Sequence, residues 1–240
     1  MAVCAVQAVF MSIILIRFTL LKTIQQFMST ILIAVIAATV LFSLKGFKDL
    51  AFFRKFEFHI GGIRAGEHIR MLTSGFLHAD GGHLFFNMFT LYMFAPVVIH
   101  YFGSASFFLI YMGSLVFGSL LTLMMHKNDY GYRAIGASGA VTGILYSAIL
   151  IDPSMSLYLF FIPIPIPAYL FGIGYLLYSI YGMKAKNDNI GHTAHFGGAM
   201  GGYLLTILKE PSMLVDNVAM VVLLAIPILI LFVMAKMGKL

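Results

Sequence analysis

Charge is scarce in this sequence. Of its 240 residues only 10% are Asp, Glu, Lys or Arg, against 61% that are hydrophobic. A water-soluble domain carries about a quarter charged residues and near half apolar ones, so a soluble globular chain is excluded. Cysteine is almost absent. The single Cys4 has no internal partner, which excludes a disulfide framework and a site built from several thiolates. It is read as an apolar filler and leaves the redox compartment undetermined. No HExxH zinc signature occurs, and the Gly-Ile-Gly-Tyr string at Gly172 lacks an aspartate, so two sequence signatures of metal and aspartyl chemistry are missing.

What the chain has in abundance is long apolar runs. A helix needs about 20 mostly apolar residues to cross roughly 30 Å of hydrocarbon. Runs of this kind lie near 28 to 44, 83 to 101, 104 to 125, 137 to 152, 166 to 182, 190 to 208 and 217 to 235. The pattern predicts an all-α polytopic membrane bundle of seven helices. The fourth run is short, which predicts that its polar start faces a protein-lined cavity rather than lipid. Residues 1 to 27 are read as an unplaced apolar extension, because Arg17 interrupts them and Met28 sits where a shorter product could begin. Residues 28 to 209 then form a six-helix core, and 210 to 240 add a further helix.

The net charge of +6 comes from basic residues spread through connecting segments, several of them among aromatics, as in Lys48 to Phe58. That mixture suits headgroups better than nucleic acid, so the expected partner is a lipid bilayer and no nucleic acid. The segment Lys45 to Gly82 is too long for a hairpin turn and reads as a loop resting in the interface. The run Phe161 to Pro167 cannot be regular helix, since each proline removes a donor and restrains the residue before it.

Hydrogen-bonding side chains inside a membrane are costly and mark functional candidates. Three clusters stand out. In His78 to Asn87, His83 and Asn87 are four apart and share one helical face; a packing pair explains them as well as a functional one. In Gly136 to Gly143, Ser138 falls in the first turn of the fourth helix, where backbone N–H groups lack intrahelical partners and the dipole favours negative charge. Gly139 and Gly143 make a small-residue face there, and a capping serine on a packing motif is the plainer reading of that string alone. In Gly191 to Tyr203, His195, Gly198 and Gly202 share a face that could lie against Gly139 and Gly143 and carry the imidazole to Ser138. His192 is read as an interfacial residue. Asp80 and Asp188 lie in loops, so the set amounts to a serine–histidine dyad oriented by packing, without metal or cofactor.

These residues resemble the rhomboid intramembrane serine proteases, whose pattern HxxxxHxxxN, GxSG and AHxxGxxxG corresponds here to His78–Asn87, Gly136–Gly139 and Ala194–Gly202. The resemblance implies cleavage of single-span or polytopic membrane-protein substrates. It makes Ser138 the nucleophile, His195 the general base, and His83, Asn87 and the Ser138 amide the oxyanion hole. It also implies a bacterial-type inner membrane, with the site opening on the extracytoplasmic side. Three positions depart from the family. Thr142 replaces a tyrosine that stacks on the histidine in many bacterial members, Ile69-Arg70 replaces a Trp-Arg pair, and Ile99 replaces a glutamate. The family orientation also puts Lys45, Lys48, Arg54, Lys55, Arg64 and Arg70 outside, against the positive-inside tendency. A non-catalytic chaperone on the same fold and a His-ligated cofactor protein are the alternatives from other classes.

Overall fold

The computed structural model describes residues 29–159, 162–185 and 191–239. The extension 1 to 27 and Asp188 lie outside the described residues. Among those described, seven long helices occur: α1 Thr30–Lys48, α2 Gly81–Phe102, α3 Ser104–Met125, α4 Ser138–Ile151, α5 Ala168–Ala185, α6 His192–Lys209 and α7 Val218–Lys236. Local chemistry sets their ends. Ser29 caps α1 through a bond from the Leu32 amide, and Lys45 and Lys48 sit in its last turn, where cations complement the dipole. Asp80 caps α2 by accepting from the His83 amide at 2.8 Å. Gly103, at φ +81°, ends α2 and starts α3 in a backbone conformation that favours glycine.

Four helices, α1, α2, α3 and α7, are long and apolar enough to cross a bilayer by themselves. Of the remaining three, α4 and α6 carry two of the three polar clusters, the first lying at the start of α2, and α4 is surrounded by protein. Every residue from Gly139 to Leu150 is buried. One side of α4 (Ala140, Val141, Ile144, Ala148) packs into a cluster with Leu32, Leu91, Phe107 and Tyr111. Its other side (Leu145, Tyr146, Ile149, Leu150) packs with Leu176, Phe196, Tyr203 and Leu224. This helix is the axis of the bundle. Its backbone is satisfied internally and its neighbours are protein, so a short helix is stable at this depth.

The segment between α1 and α2 is more ordered than a loop. It contains short helices at Leu50–Phe56, Ile60–Arg64 and Arg70–Thr73, and strand β1 at Phe58–His59. Strand β1 pairs antiparallel with β2, Arg133–Ala134, just before α4. Buried Glu57 accepts from Arg54 at 3.2 Å and also binds Arg133. Arg70 donates to the carbonyls of Arg54 and Glu57 at 2.7 and 3.0 Å and pairs with Glu67. Arg70 therefore supports the segment although Ile69, where the family has tryptophan, is 58% exposed. The proline-rich run forms β4, Ile162–Pro167, paired with β3, Ser156–Leu159, and leads straight into α5.

Candidate active site

Four long helices, α2, α4, α5 and α6, bring polar atoms to one cleft of about 850 Å³, lined among others by Asp80, His83, Asn87, Arg133, Ser138, Thr142, Tyr175 and His195. Ser138 stands at the first turn of α4, an end that no side chain caps. The amides of that turn are thus available to a ligand. Across the cleft, His195 is buried on α6, and its Nε2 lies 2.6 Å from Ser138 Oγ.

The approach of α6 to α4 that allows this contact depends on glycine. A Cβ on Gly198 would overlap the backbone of Gly139, and one on Gly202 would overlap that of Gly143. Gly139 in turn has no room for a Cβ, which would come 2.9 Å from the Ala194 carbonyl oxygen. Gly136 is held at φ +119°, and a side chain there would also run into the His83 ring, 2.9 Å from its Cε1 and 3.6 Å from Ser138 Oγ. The His83 imidazole therefore lies beside the serine. Asn87, one turn further along α2, is buried and donates from Nδ2 to the His83 carbonyl at 3.0 Å. An amide nitrogen carries two hydrogens, so one donor remains for the cleft.

Two side chains to which sequence reasoning gave no role complete the site. The first is His78, fully buried below it. Its Nε2 accepts from the Ala137 amide at 3.3 Å, so Nδ1 carries the proton and donates to Ser43 Oγ at 2.9 Å. Ser43 then donates to the Phe76 carbonyl at 2.8 Å. His78 ties α1 to the residue preceding Ser138. Only its place five residues before His83 hinted at this role.

Burial, followed by the neighbouring His83 and opposed by Asp80, pushes the pKa of His78 from 6.5 down to about 3. The folded chain thus refuses a proton that the unfolded chain accepts, and stability is full above 6.5 and declines as the pH falls toward 3. The slope from this group is about 1.4 kcal/mol per pH unit. His78→Gln should therefore be destabilised relative to wild type by more at pH 7.5 than at pH 4.5 in thermal unfolding. An equal gap at both values would contradict the buried neutral histidine.

The second is Tyr175 on α5. Its ring stacks on His195 with centroids 5.7 Å apart and planes 23° apart, and its hydroxyl lies 2.7 Å from His195 Nδ1. Thr142 leaves the family's stacking position without a ring, and an aromatic from a different helix occupies the face of the histidine instead. A helix-to-helix exchange of this kind leaves no mark in motif spacing. His192, read as interfacial, is buried, with its ring centroid 5.3 Å from Tyr178 and 6.3 Å from His195. Among the described residues no group of three or more His, Cys, Asp or Glu side chains could hold a metal ion.

Apolar helices around a polar, serine-bearing cleft define a polytopic integral membrane protein. Residues 65–212 match the Rhomboid domain, more than half of the chain, and the protein belongs to the rhomboid family. It is 33% identical over 155 residues to putative rhomboid protease YdcA of Bacillus subtilis, a match covering 61% of this chain and 70% of that protein. It is 31% identical over 159 residues to RHOMBOID-like protein 12, mitochondrial, of Arabidopsis thaliana, covering 60% of this chain and 47% of that protein. With Rhomboid protein 1, mitochondrial, of Saccharomyces cerevisiae, identity is 30% over 139 residues, covering 57% and 40%. The matched region thus spans about half or less of the two mitochondrial relatives.

Proposed function

We propose that this chain is an intramembrane serine endopeptidase that cuts transmembrane segments of other membrane proteins, with Ser138 as nucleophile and His195 as general base. The observation that carries the reading is the 2.6 Å contact between Ser138 Oγ and His195 Nε2 at an uncapped helix start inside a cleft. Ser138 Oγ attacks the substrate carbonyl carbon while its proton passes to Nε2. The carbonyl oxygen becomes an oxyanion, and the Ser138 amide, His83 and Asn87 are the donors that meet it. Nε2 then gives its proton to the leaving amine as the C–N bond breaks, leaving an ester on Ser138. Water, deprotonated by the same nitrogen, hydrolyses that ester and restores the serine.

The bilayer we assign is a bacterial-type inner membrane, with the cleft open on the extracytoplasmic side as the family resemblance implies. The basic first segment is compatible with that orientation because several of its charges are engaged within the protein. Arg54 is paired with Glu57, Arg64 donates to the Lys127 carbonyl, and Lys45 and Lys55 sit over phenylalanine rings.

The test is reconstitution into vesicles with a generic single-span substrate. Cleavage is expected, together with a fluorophosphonate adduct that mass spectrometry locates on Ser138. His83→Ala or Asn87→Ala should slow turnover on the order of 10²- to 10³-fold with little change in KM, as for loss of an oxyanion donor. A folded protein that binds the substrate but neither cleaves it nor takes the label would instead be a binding or chaperone member of the fold.

A further inference from the structure

We propose that Arg133 is a specificity-determining residue, and that its guanidinium receives a carboxylate side chain of the substrate within about five residues of the cut bond. The proposal rests on the protease reading above and names the class of membrane protein that the cleft selects. Arg133 begins β2 and lines the cleft with Ala134 and Ile135. Its side chain is 41% exposed, whereas that of Glu57, which holds it, is 3% exposed. Among the described residues, the one hydrogen bond of the Arg133 side chain runs from Nη1 to Glu57 Oε1. A guanidinium has five N–H hydrogens in a fixed fork. With one spent on Glu57, four remain, on a group that a buried anchor holds at the cleft wall.

Positive charge is left over as well as hydrogen. Arg54 donates to both Glu57 oxygens at 3.2 and 3.3 Å, so two guanidiniums share one carboxylate. The acidic residue on the cleft wall, Asp80, accepts from the His83 amide at 2.8 Å as the cap of α2, where the helix dipole offsets its charge. A tie between the first segment and β2 is complete with the Glu57 bond and leaves the other four donors unused. Arg133 stands five residues before Ser138, at most about 18 Å along a fully extended chain. A substrate extended through the cleft advances about 3.3 Å per residue, so the residue that meets the guanidinium lies within about five of the bond that Ser138 attacks. Its best partner is a carboxylate, whose two oxygens match the fork. A carboxylate is costly in hydrocarbon. The selected substrates are therefore those with Asp or Glu at the aqueous end of the span, and the cut falls near that end.

The experiment uses the full-length protein in detergent and single-span substrates that carry Asp or its uncharged isostere Asn, one at a time, at each position within about five residues of the cut. Mass spectrometry locates the cut in each. At one or more of these positions Asp should raise kcat/KM about tenfold over Asn, the size of one charge-assisted pair, and the ratio should shrink in high salt. Arg133→Gln keeps a donor for Glu57 and removes the charge; it should bring the ratio to about one by slowing the Asp substrates. Arg133→Lys should keep part of the preference, as a point charge without the fork. A structural tie alone would instead lower both rates by one factor, leave the ratio where it was and lower the melting temperature. An unchanged ratio in Arg133→Gln, or a wild type indifferent to Asp and Asn at every position, would overturn the proposal while cleavage itself upheld the protease reading. Binding of the same substrates to Ser138→Ala, which cannot cut them, separates the site from the chemistry. Tighter binding of an Asp form supports the proposal, and equal binding at every position overturns it, whether or not the wild type proves to be a protease.

Discussion

Alanine at Ser138 and alanine at His195 are each expected to abolish cleavage, by about 10⁴-fold or more, while the protein remains folded and extractable. Ser138→Ala removes a single oxygen at a half-buried position, and His195 keeps its bond to Tyr175, so the melting temperature should hardly move. His195→Ala opens a gap beside the Tyr175 ring and should lower the melting temperature measurably without unfolding the bundle. The two losses should not add. Nucleophile and base act in one proton transfer, so once either is gone the other has nothing to contribute. Single-turnover cleavage by both single variants and the double variant is the measurement. A double variant much slower than either single one would mean that Ser138 and His195 act independently, which a shared dyad does not allow.

The second large effect belongs to the glycines. Gly198→Leu and Gly202→Leu should each lose activity and thermal stability together, because the added Cβ would strike the backbone of Gly139 or Gly143 rather than a side chain that could swing away. Overpacking of this kind typically costs about 1–3 kcal/mol. The accompanying separation of α4 and α6 matters more for rate, since an offset of about 1 Å can cost 10²-fold. The control is Gly174→Leu, where an added Cβ meets nothing within 4 Å. Gly172, on the same helix, is unsuitable as a second control. It is buried on α5, its Cβ would lie 3.0 Å from Ile149, and its carbonyl accepts from the Tyr146 hydroxyl. Normal cleavage and stability in both Gly198→Leu and Gly202→Leu would remove the geometric basis for bringing His195 to Ser138.

Much of this protein follows from sequence alone, because the solvent is part of the message. Hydrocarbon forbids unsatisfied backbone, so long apolar runs had to be helices, and α3 runs Ser104–Met125, just where the polar breaks put its ends. The same solvent makes polar side chains expensive, which is why Ser138, His195, His83 and Asn87 were conspicuous. Small residues at helical spacing announced a close contact, since they pack helices where lipid gives no hydrophobic drive. None of these signals required knowing which helix lies beside which.

Only the tertiary structure decided how the histidine is held. Tyr175 is 33 residues from Thr142 in sequence, and nothing local distinguishes it from Tyr169, Tyr178 or Tyr181 on the same helix. The stack and the bond to Nδ1 exist because α5 packs beside α6 with that one tyrosine turned toward His195. His78 is a similar case: in sequence it is the first residue of a motif with no role attached, and only the meeting of Ser43, Phe76 and Ala137 around it makes it a buried tie. The order in the first segment likewise comes from distant partners, with Arg133 reaching Glu57 and β1 pairing with β2. Helix formation and the cost of burying polarity act along the chain and leave periodic traces. Hydrogen-bond partnership between helices depends on their relative rotation, which summed packing sets and no short stretch of sequence records.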